Sequence, residues 1–399
     1  MCARSSDYSF SKNFNLMVVN MGLSRFGISA FNLIILWIIL FETHSPFLSG
    51  LGDGILSAPL FFSFIVGAFV DKSGKKKALI IVAGVARALT LSLIFLGFYI
   101  DNVILIVISI YVSGFLIGFT SDILSAVNAS WTKKFLDEEH YKTGSSLVQS
   151  VSSIAEGAGY IASGLLLAAG FAQSFLSIFV VFIVSIIPIL FIKTTEVSSS
   201  ESAIDSVKQG LKFIMSSKPI IQILIIALLG NMIFGMAGVM FTALVQLHFK
   251  LPAIYISMIF SIVMVGIVIG SLLVAKVKGK LGSISILSYF IIGFSLCSIT
   301  IIQNIFLIIL PVLIIGIVIG IINVLVNTAI LKILPENMMA RIQGAFNTFS
   351  LAATFVSGMI GGVVIQLTSS TTAFLIIGML TIIITPFWFT FKELASIKI

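Results

Sequence analysis

Five ionisable side chains stand inside stretches otherwise too apolar to hold them: Arg25, Asp53, Arg87, Asp122 and Glu156. Placing a charge at the centre of a bilayer costs about 3 kcal/mol on insertion scales, so each is first a candidate for chemistry. Glu156 lies about 14 residues into its apolar run, roughly 21 Å along a helix, on a stripe with Gln149, Ser152, Ser153, Tyr160 and Ser163. A carboxyl in such a wall can exchange a proton or hold a cation; the alternative is a buried Glu neutralised by Arg25. Arg25 lies about 11 residues into the first run, roughly 17 Å deep, and shares a helix face with Ser29 and Asn32. As a fixed positive charge it either holds an anionic group or tunes a neighbouring acid; the alternative is a structural pair with a carboxylate on another helix. Asp53, near the start of the second run and flanked by Gly50, Gly52 and Gly54, reads as an outer gate or proton inlet, or else as a solvated helix end. Glu156, Arg25 and Asp53 form the expected proton-coupling set.

A second set of side chains is polar without charge. Phe-Leu-Asp-Glu-Glu from Phe135 and Ile-Leu-Pro-Glu-Asn from Ile333 stand at an offset of 198 residues, and at the same offset Gln149 meets Asn347, Ser152 meets Ser350 and Gly164 meets Gly362. Glu156 then meets Thr354, in a stripe of Gln343, Asn347, Ser350, Thr354 and Ser357, so the later copy keeps the polarity and loses the charge. The expected division of labour is coupling in the earlier half and uncharged contacts in the later one. The substrate-cavity set is Asn32, Gln149, Tyr160, Asn231, Asn323, Asn327 and Asn347. His44, His140 and His248 have no ligand set around them, and Cys2 and Cys297 suggest neither a disulfide framework nor a metal cluster. A Gly-rich Lys-Ser/Thr phosphate loop is missing, so neither ATP nor any other cofactor is expected.

Helices that cross a bilayer must position these residues. The chain is 59% apolar and 10% charged with a mean hydropathy of +1.20, the composition of an integral membrane protein. A span takes about 20 mostly apolar residues. Twelve such runs fall near 14–41, 47–70, 78–99, 103–127, 143–169, 172–192, 219–246, 253–275, 284–301, 305–331, 342–366 and 372–391. Lys and Arg outside them gather in the N-terminus, the even-numbered loops and the C-terminus, against Lys250 alone in the odd loops, which predicts a multi-pass cell-membrane protein with both termini cytoplasmic. The net charge of +8 is explained by that asymmetry and gives no support to nucleic acid binding. Met1 to Asn13 are polar without a cleavable hydrophobic core, so the first span is expected to be retained. The longest polar break divides the chain into 1–192, a linker 193–218 and 219–399. In the linker Ser202 and Asp205 make a helix-start signal, and Ile204, Val207, Leu211 and Ile214 share one face, predicting a helix on the inner membrane surface. With the 198-residue offset, this predicts an all-α fold of twelve transmembrane helices as two six-helix halves.

Between the second and third runs lies Gly67-Ala-Phe-Val-Asp-Lys-Ser-Gly-Lys-Lys-Lys77. This basic hairpin resembles the loop between helices two and three of the major facilitator superfamily, with Gly67, Asp71, Lys72, Gly74, Lys75 and Lys76 in the motif positions. The resemblance implies that Asp71 caps or pairs with the neighbouring helix at a cytoplasmic gate, that the Gly lets the loop turn tightly, and that Arg87 and Asp122 belong to a charge relay behind it; a plain Arg87–Asp122 ion pair is the alternative. Val207 to Ile225 and the Leu334 to Gly344 run resemble the efflux branch that holds macrolide exporters and the enterobactin exporter. Two departures stand out: Ser113 to Gly118 lacks that family's helix-four Arg, and only Gly159, Tyr160, Ser163 and Gly164 remain of the helix-five antiporter motif. The function implied is a monomeric, proton-coupled multidrug antiporter exporting small amphipathic molecules. Alternatives are an importer or lysolipid flippase of the same fold, or a non-transporting membrane receptor. An enzyme is not expected, since no nucleophile and base fall together.

Overall fold

The computed structural model describes residues 10–137, 140–194, 212–274, 277, 279–333 and 339–391. They are helical almost throughout and contain no strand. Helix α1 (Lys12–Thr43) starts at the cap Ser11, whose hydroxyl accepts from the Phe14 amide, and stops where His44 turns left-handed at φ 51°. Ser45 and Pro46 open α2 (Pro46–Ser57) as cap and first-turn proline. The second apolar run is not one continuous helix. Pro59, which has no amide to donate, falls in a 3₁₀ segment (Ala58–Phe62) that separates α2 from α3 (Ser63–Lys72). There follow α4 (Lys76–Ile100), α5 (Val103–Phe135), α6 (Tyr141–Ala169) and α7 (Phe171–Leu190), the last two divided by Gly170 at φ 117°. After the linker come α8 (Lys218–Ala243), α9 (Ile254–Leu273), α10 (Leu281–Ile299), α11 (Ile309–Ile333), α12 (Met339–Leu367) and α13 (Ser370–Ile384). Among the described residues ten helical stretches are long and apolar enough to cross a membrane; 46–62 and 353–367 are shorter apolar ones. In the linker, Ser202, Ile204, Asp205, Val207 and Leu211 lie outside the described residues, whereas Ile214 is fully buried.

Before the linker α1 is the centre: it packs on α2, α5, α6 and α7, and nearly all its residues from Ser29 to Leu40 are buried. After the linker α8 packs on α12, α9 on α11, and α10 on α13. Among the described residues the segments are joined chiefly along two seams, α2 with α12 and α6 with α9. Both rest on glycine. A Cβ on Gly50 would overlap the Gly358 carbonyl, one on Gly362 would press on the Pro46 carbonyl, and one on Gly54 would come within 2.8 Å of the Phe355 carbonyl. These backbones approach as only small residues permit. Ser45 Oγ and Gln366 Oε1, 3.1 Å apart, lie across the first seam at the end of the bundle where α1 stops. Farther along, in α3, a Cβ on Gly67 would meet nothing within 4 Å among the described residues. The segments are thus closed on each other at the end where α1 meets α2.

Candidate functional site

A cavity of about 260 Å³ opens between the segments. Its walls bring together Arg25, Ser29 and Asn32 of α1, Asp53 of α2, Asp122 of α5, and Glu156 and Tyr160 of α6, with Phe234, Phe260 and Thr354 facing them from beyond the linker. Four expected ionisable residues therefore share one space, three of them carboxyls. α1 turns Arg25, Ser29 and Asn32 to the cavity from one face, as their spacing required.

Each acid is held differently. The Asn32 amide donates to Asp53 Oδ1 at 3.0 Å, and Asp53 is only 8% exposed. A solvated helix end is therefore the wrong reading of Asp53: its glycine flanks let α12 close over it, which buries it. Ser63 Oγ donates to Asp122 Oδ2 at 3.0 Å. Tyr160 Oη donates to Glu156 Oε1 at 3.4 Å, one helical turn away, and the Tyr160 ring stacks obliquely on Phe260 at 5.1 Å. Arg25 turns its Nε to Ser152 Oγ at 3.2 Å. Among the described residues neither Arg25 nor Glu156 makes an ion pair, so the neutralised Arg25–Glu156 pair is absent from this conformer. Arg25 binds a hydroxyl on the same helix as Glu156 and leaves the acids facing the cavity.

The gate set divides. Arg87 is 2% exposed between α4, α5 and α7, where its Nε donates to Thr120 Oγ1 at 2.9 Å and its guanidinium lies 5.8 Å from the Phe182 ring centroid. No Arg87–Asp122 ion pair is present among the described residues. Thr120 and Asp122 are two apart on α5 and so point to different faces, Arg87 into the packing and Asp122 into the cavity. In the hairpin, Lys72, Gly74 and Lys75 are exposed, Lys76 Nζ reaches Ser130 Oγ at 2.7 Å, and Lys77 Nζ donates to the Leu190 and Ile192 carbonyls, both at 2.8 Å. Those last contacts satisfy carbonyls at the end of α7. Gly67 and Gly74 are not at positive φ, and among the described residues a Cβ on either would meet nothing within 4 Å; extended Ser73 and non-helical Lys75 turn the chain. The Asp71 side chain lies outside the described residues.

The uncharged set is partly gathered. Asn231 and Asn323 line a second, largely apolar cavity of about 230 Å³ with Tyr289, and Phe234 borders both cavities. Asn327 and Gln149 are exposed and line neither. The Asn347 side chain lies outside the described residues. Among the described residues no group of His, Cys, Asp and Glu is placed to hold a metal.

Ser257 escaped the sequence reading. Its hydroxyl crosses from α9 to α6, accepting from the Gly164 amide at 2.7 Å and donating to the Tyr160 carbonyl at 2.9 Å. Serine in an apolar helix usually bonds its own preceding turn, so nothing in the sequence marked this one; only the small partner Gly164 hinted at a close approach.

Membrane-length helices closed on one another at one end, around a cavity lined with ionisable side chains, are the build of a membrane transport protein. The chain belongs to the Major Facilitator Superfamily, whose model matches residues 17–358. Comparison with curated proteins finds no match. Among solved structures, a POT family transporter in complex with 5-aminolevulinic acid is similar at a TM-score of 0.76 and 13% identity, covering 99% of each chain. The nucleoside transporter NupG gives 0.70 and 16%, covering 97% of this chain and 100% of its own. A bacterial metal transporter gives 0.68 and 15%, covering 98% and 100%. At such identities these likenesses concern the fold.

Proposed function

We propose that the chain is a secondary active transporter that exports small amphipathic compounds, drugs or siderophore-like metabolites, in exchange for protons. The observation that carries this reading is the single cavity in which Glu156, Asp53, Asp122 and Arg25 face aromatic and neutral walls from the other segment. Acids there can trade a proton for a substrate cation, while Phe234, Phe260, Asn231 and Asn323 offer an apolar bed with amide contacts. Glu156, Arg25 and Asp53 are the coupling residues in this reading, and Asn32 and Tyr160 complete the substrate contacts. The layout is twelve spans in two halves, 1–192 and 219–399, joined by a cytoplasmic linker, working as a monomer in the cell membrane with both termini inside. The seam glycines Gly164 and Gly362, partners at the 198-residue offset, support equivalent halves. The efflux direction and branch rest on the resemblance of the Val207–Ile225 and Leu334–Gly344 stretches. The neighbours named for 5-aminolevulinic acid and for nucleosides make small polar organic cargo a second candidate class, carried in either direction.

The test is substrate-induced pH change in proteoliposomes of the full chain against a panel of lipophilic amines, siderophores, lysolipids, nucleosides and amino acids. Proton release on adding an exported compound supports the proposal. Co-uptake with protons would establish import, and no proton movement with any transported compound would overturn the coupling.

A further inference from the structure

After the linker, α13 is clasped to α10: a Cβ on Gly293 would stand 2.9 Å from the Gly378 carbonyl, and one on Gly378 2.8 Å from the Gly293 carbonyl. Between α13 and α8 lies a groove of about 110 Å³, walled by Leu229, Met232 and Met236 on one side and Leu380, Thr381 and Ile384 on the other, with Tyr289 of α10 as its floor. Its mouth faces outward, since Leu380 and Ile384 are 47% and 39% exposed whereas Met236 and Tyr289 are buried. Both walls belong to stretches that can cross a membrane, so the medium at the mouth is hydrocarbon. The two polar side chains of the wall are already committed: Thr381 donates its hydroxyl hydrogen to the Ile377 carbonyl at 2.7 Å, and Tyr289 to the Ile226 carbonyl at 2.8 Å. A space so lined stays dry and takes apolar matter. The groove follows two turns of each helix, about 10 Å, near the middle of the apolar stretch Lys218–His248. At that depth of a hydrocarbon core about 30 Å thick, chain ends are present and headgroups are not.

Tyr289 and Ile233 line this groove and also the second cavity, so they are the partition between the two. The Tyr289 hydroxyl reaches the Ile226 carbonyl by lying over Gly230, where a Cβ would come within 2.7 Å of Oη. We propose that the α8–α13 groove binds the end of one acyl chain of a bilayer lipid, entering sideways from the membrane, and that Tyr289 is a movable floor which, on leaving the Ile226 carbonyl, lets the chain pass into the second cavity. A chain there gains contacts with the isoleucine and phenylalanine walls that an empty space forgoes, and the Tyr289–Ile226 bond is a neutral one of modest net worth. Phe234 borders both this cavity and the central one, so the site places lipid directly behind the wall of the central cavity. Neither the direction of transport nor its coupling enters this assignment.

The test uses the full chain in nanodiscs of phosphatidylethanolamine and phosphatidylglycerol, doped with a phosphatidylethanolamine that bears a diazirine near the end of one acyl chain. After irradiation the adducts are mapped by mass spectrometry. They should form at buried Met236 and Tyr289 as well as at exposed Leu380. Leu380→Trp, which plugs the mouth from a lipid-facing position, should cut the Met236 adduct to background, while Leu375→Trp, exposed elsewhere on α13, should leave it at the parent level. Met232→Trp fills the groove from the α8 side and keeps the site testable where Leu380→Trp fails to fold. Tyr289→Phe, which keeps the ring and removes the hydroxyl, should add adducts at Ile292 and Ile322, buried in the walls of the second cavity. Parent adducts confined to exposed side chains, a Met236 adduct untouched by either plug, or equal labelling of Met236 from a diazirine on the headgroup would each overturn the site. A Tyr289→Phe pattern identical to that of the parent would overturn the movable floor. Loss of the Met236 adduct on adding a transported compound would make the groove a route for cargo and overturn the lipid assignment.

Discussion

Glu156 and Asp53 share one cavity but stand on different helices, α6 and α2. Glu156→Gln keeps the shape of the Tyr160 contact and removes a proton site. Uphill, gradient-driven transport should fall to background, while counterflow, which moves no net proton, stays within about threefold of the parent, less than 1 kcal/mol. Proteoliposome flux with and without an imposed gradient measures both. Unimpaired uphill transport in Glu156→Gln would leave Asp53 and Asp122 as the acids in use. At this scale the sequence was informative where a charge interrupted apolar residues: Arg25, Asp53, Asp122 and Glu156 all face the cavity. It was silent on partners. Depth and spacing made Arg25 and Glu156 look like a pair, yet Arg25 reaches Ser152, a hydroxyl no better marked than any other serine of its stripe. Arg87 was assigned to the hairpin gate from the family resemblance; its own contacts are to Thr120 and Phe182, which the sequence did not mark.

At the scale of elements, the same residue type has opposite meanings on α2 and α3. Gly→Ala in a helix ordinarily stabilises by about 1 kcal/mol. Gly67→Ala, with nothing within 4 Å, should raise or preserve the melting temperature of the purified protein. Gly50→Ala, whose methyl would overlap the Gly358 carbonyl, should lower it, since forcing atoms into packed space costs about 1–3 kcal/mol. Thermal unfolding of the two variants in one detergent decides this; equal shifts would show that the seam is loose. The helices themselves were legible, since runs of apolar residues leave few alternatives in a bilayer. The break at Pro59 was readable in principle from the proline, but hydropathy runs through it without a dip. Which glycines meet a neighbour is a property of two helices at once, and a single chain pattern does not carry it.

For the whole molecule, seams closed at the end where α1 meets α2 are, in the transport cycle proposed above, one of the two states that alternating access needs. A cysteine at exposed Gln149 in the full chain, with Cys2 and Cys297 replaced by Ser, should react with a membrane-impermeant maleimide from the hairpin side. A cysteine at Ser257, buried in the α6–α9 seam, should stay unreactive until substrate or pH moves the segments. Equal rates at both positions would mean that the seams do not hold in the membrane. Ser257 also leaves a trace in the backbone. The Tyr160 carbonyl accepts from Ser163 at 2.6 Å in its own helix and from Ser257 at 2.9 Å across the seam, and parting the segments removes only the second. A carbon-13, oxygen-18 label on that carbonyl would therefore vibrate at a higher amide I frequency whenever the seam is open, so that infrared light could count the two states in native lipid with no probe attached.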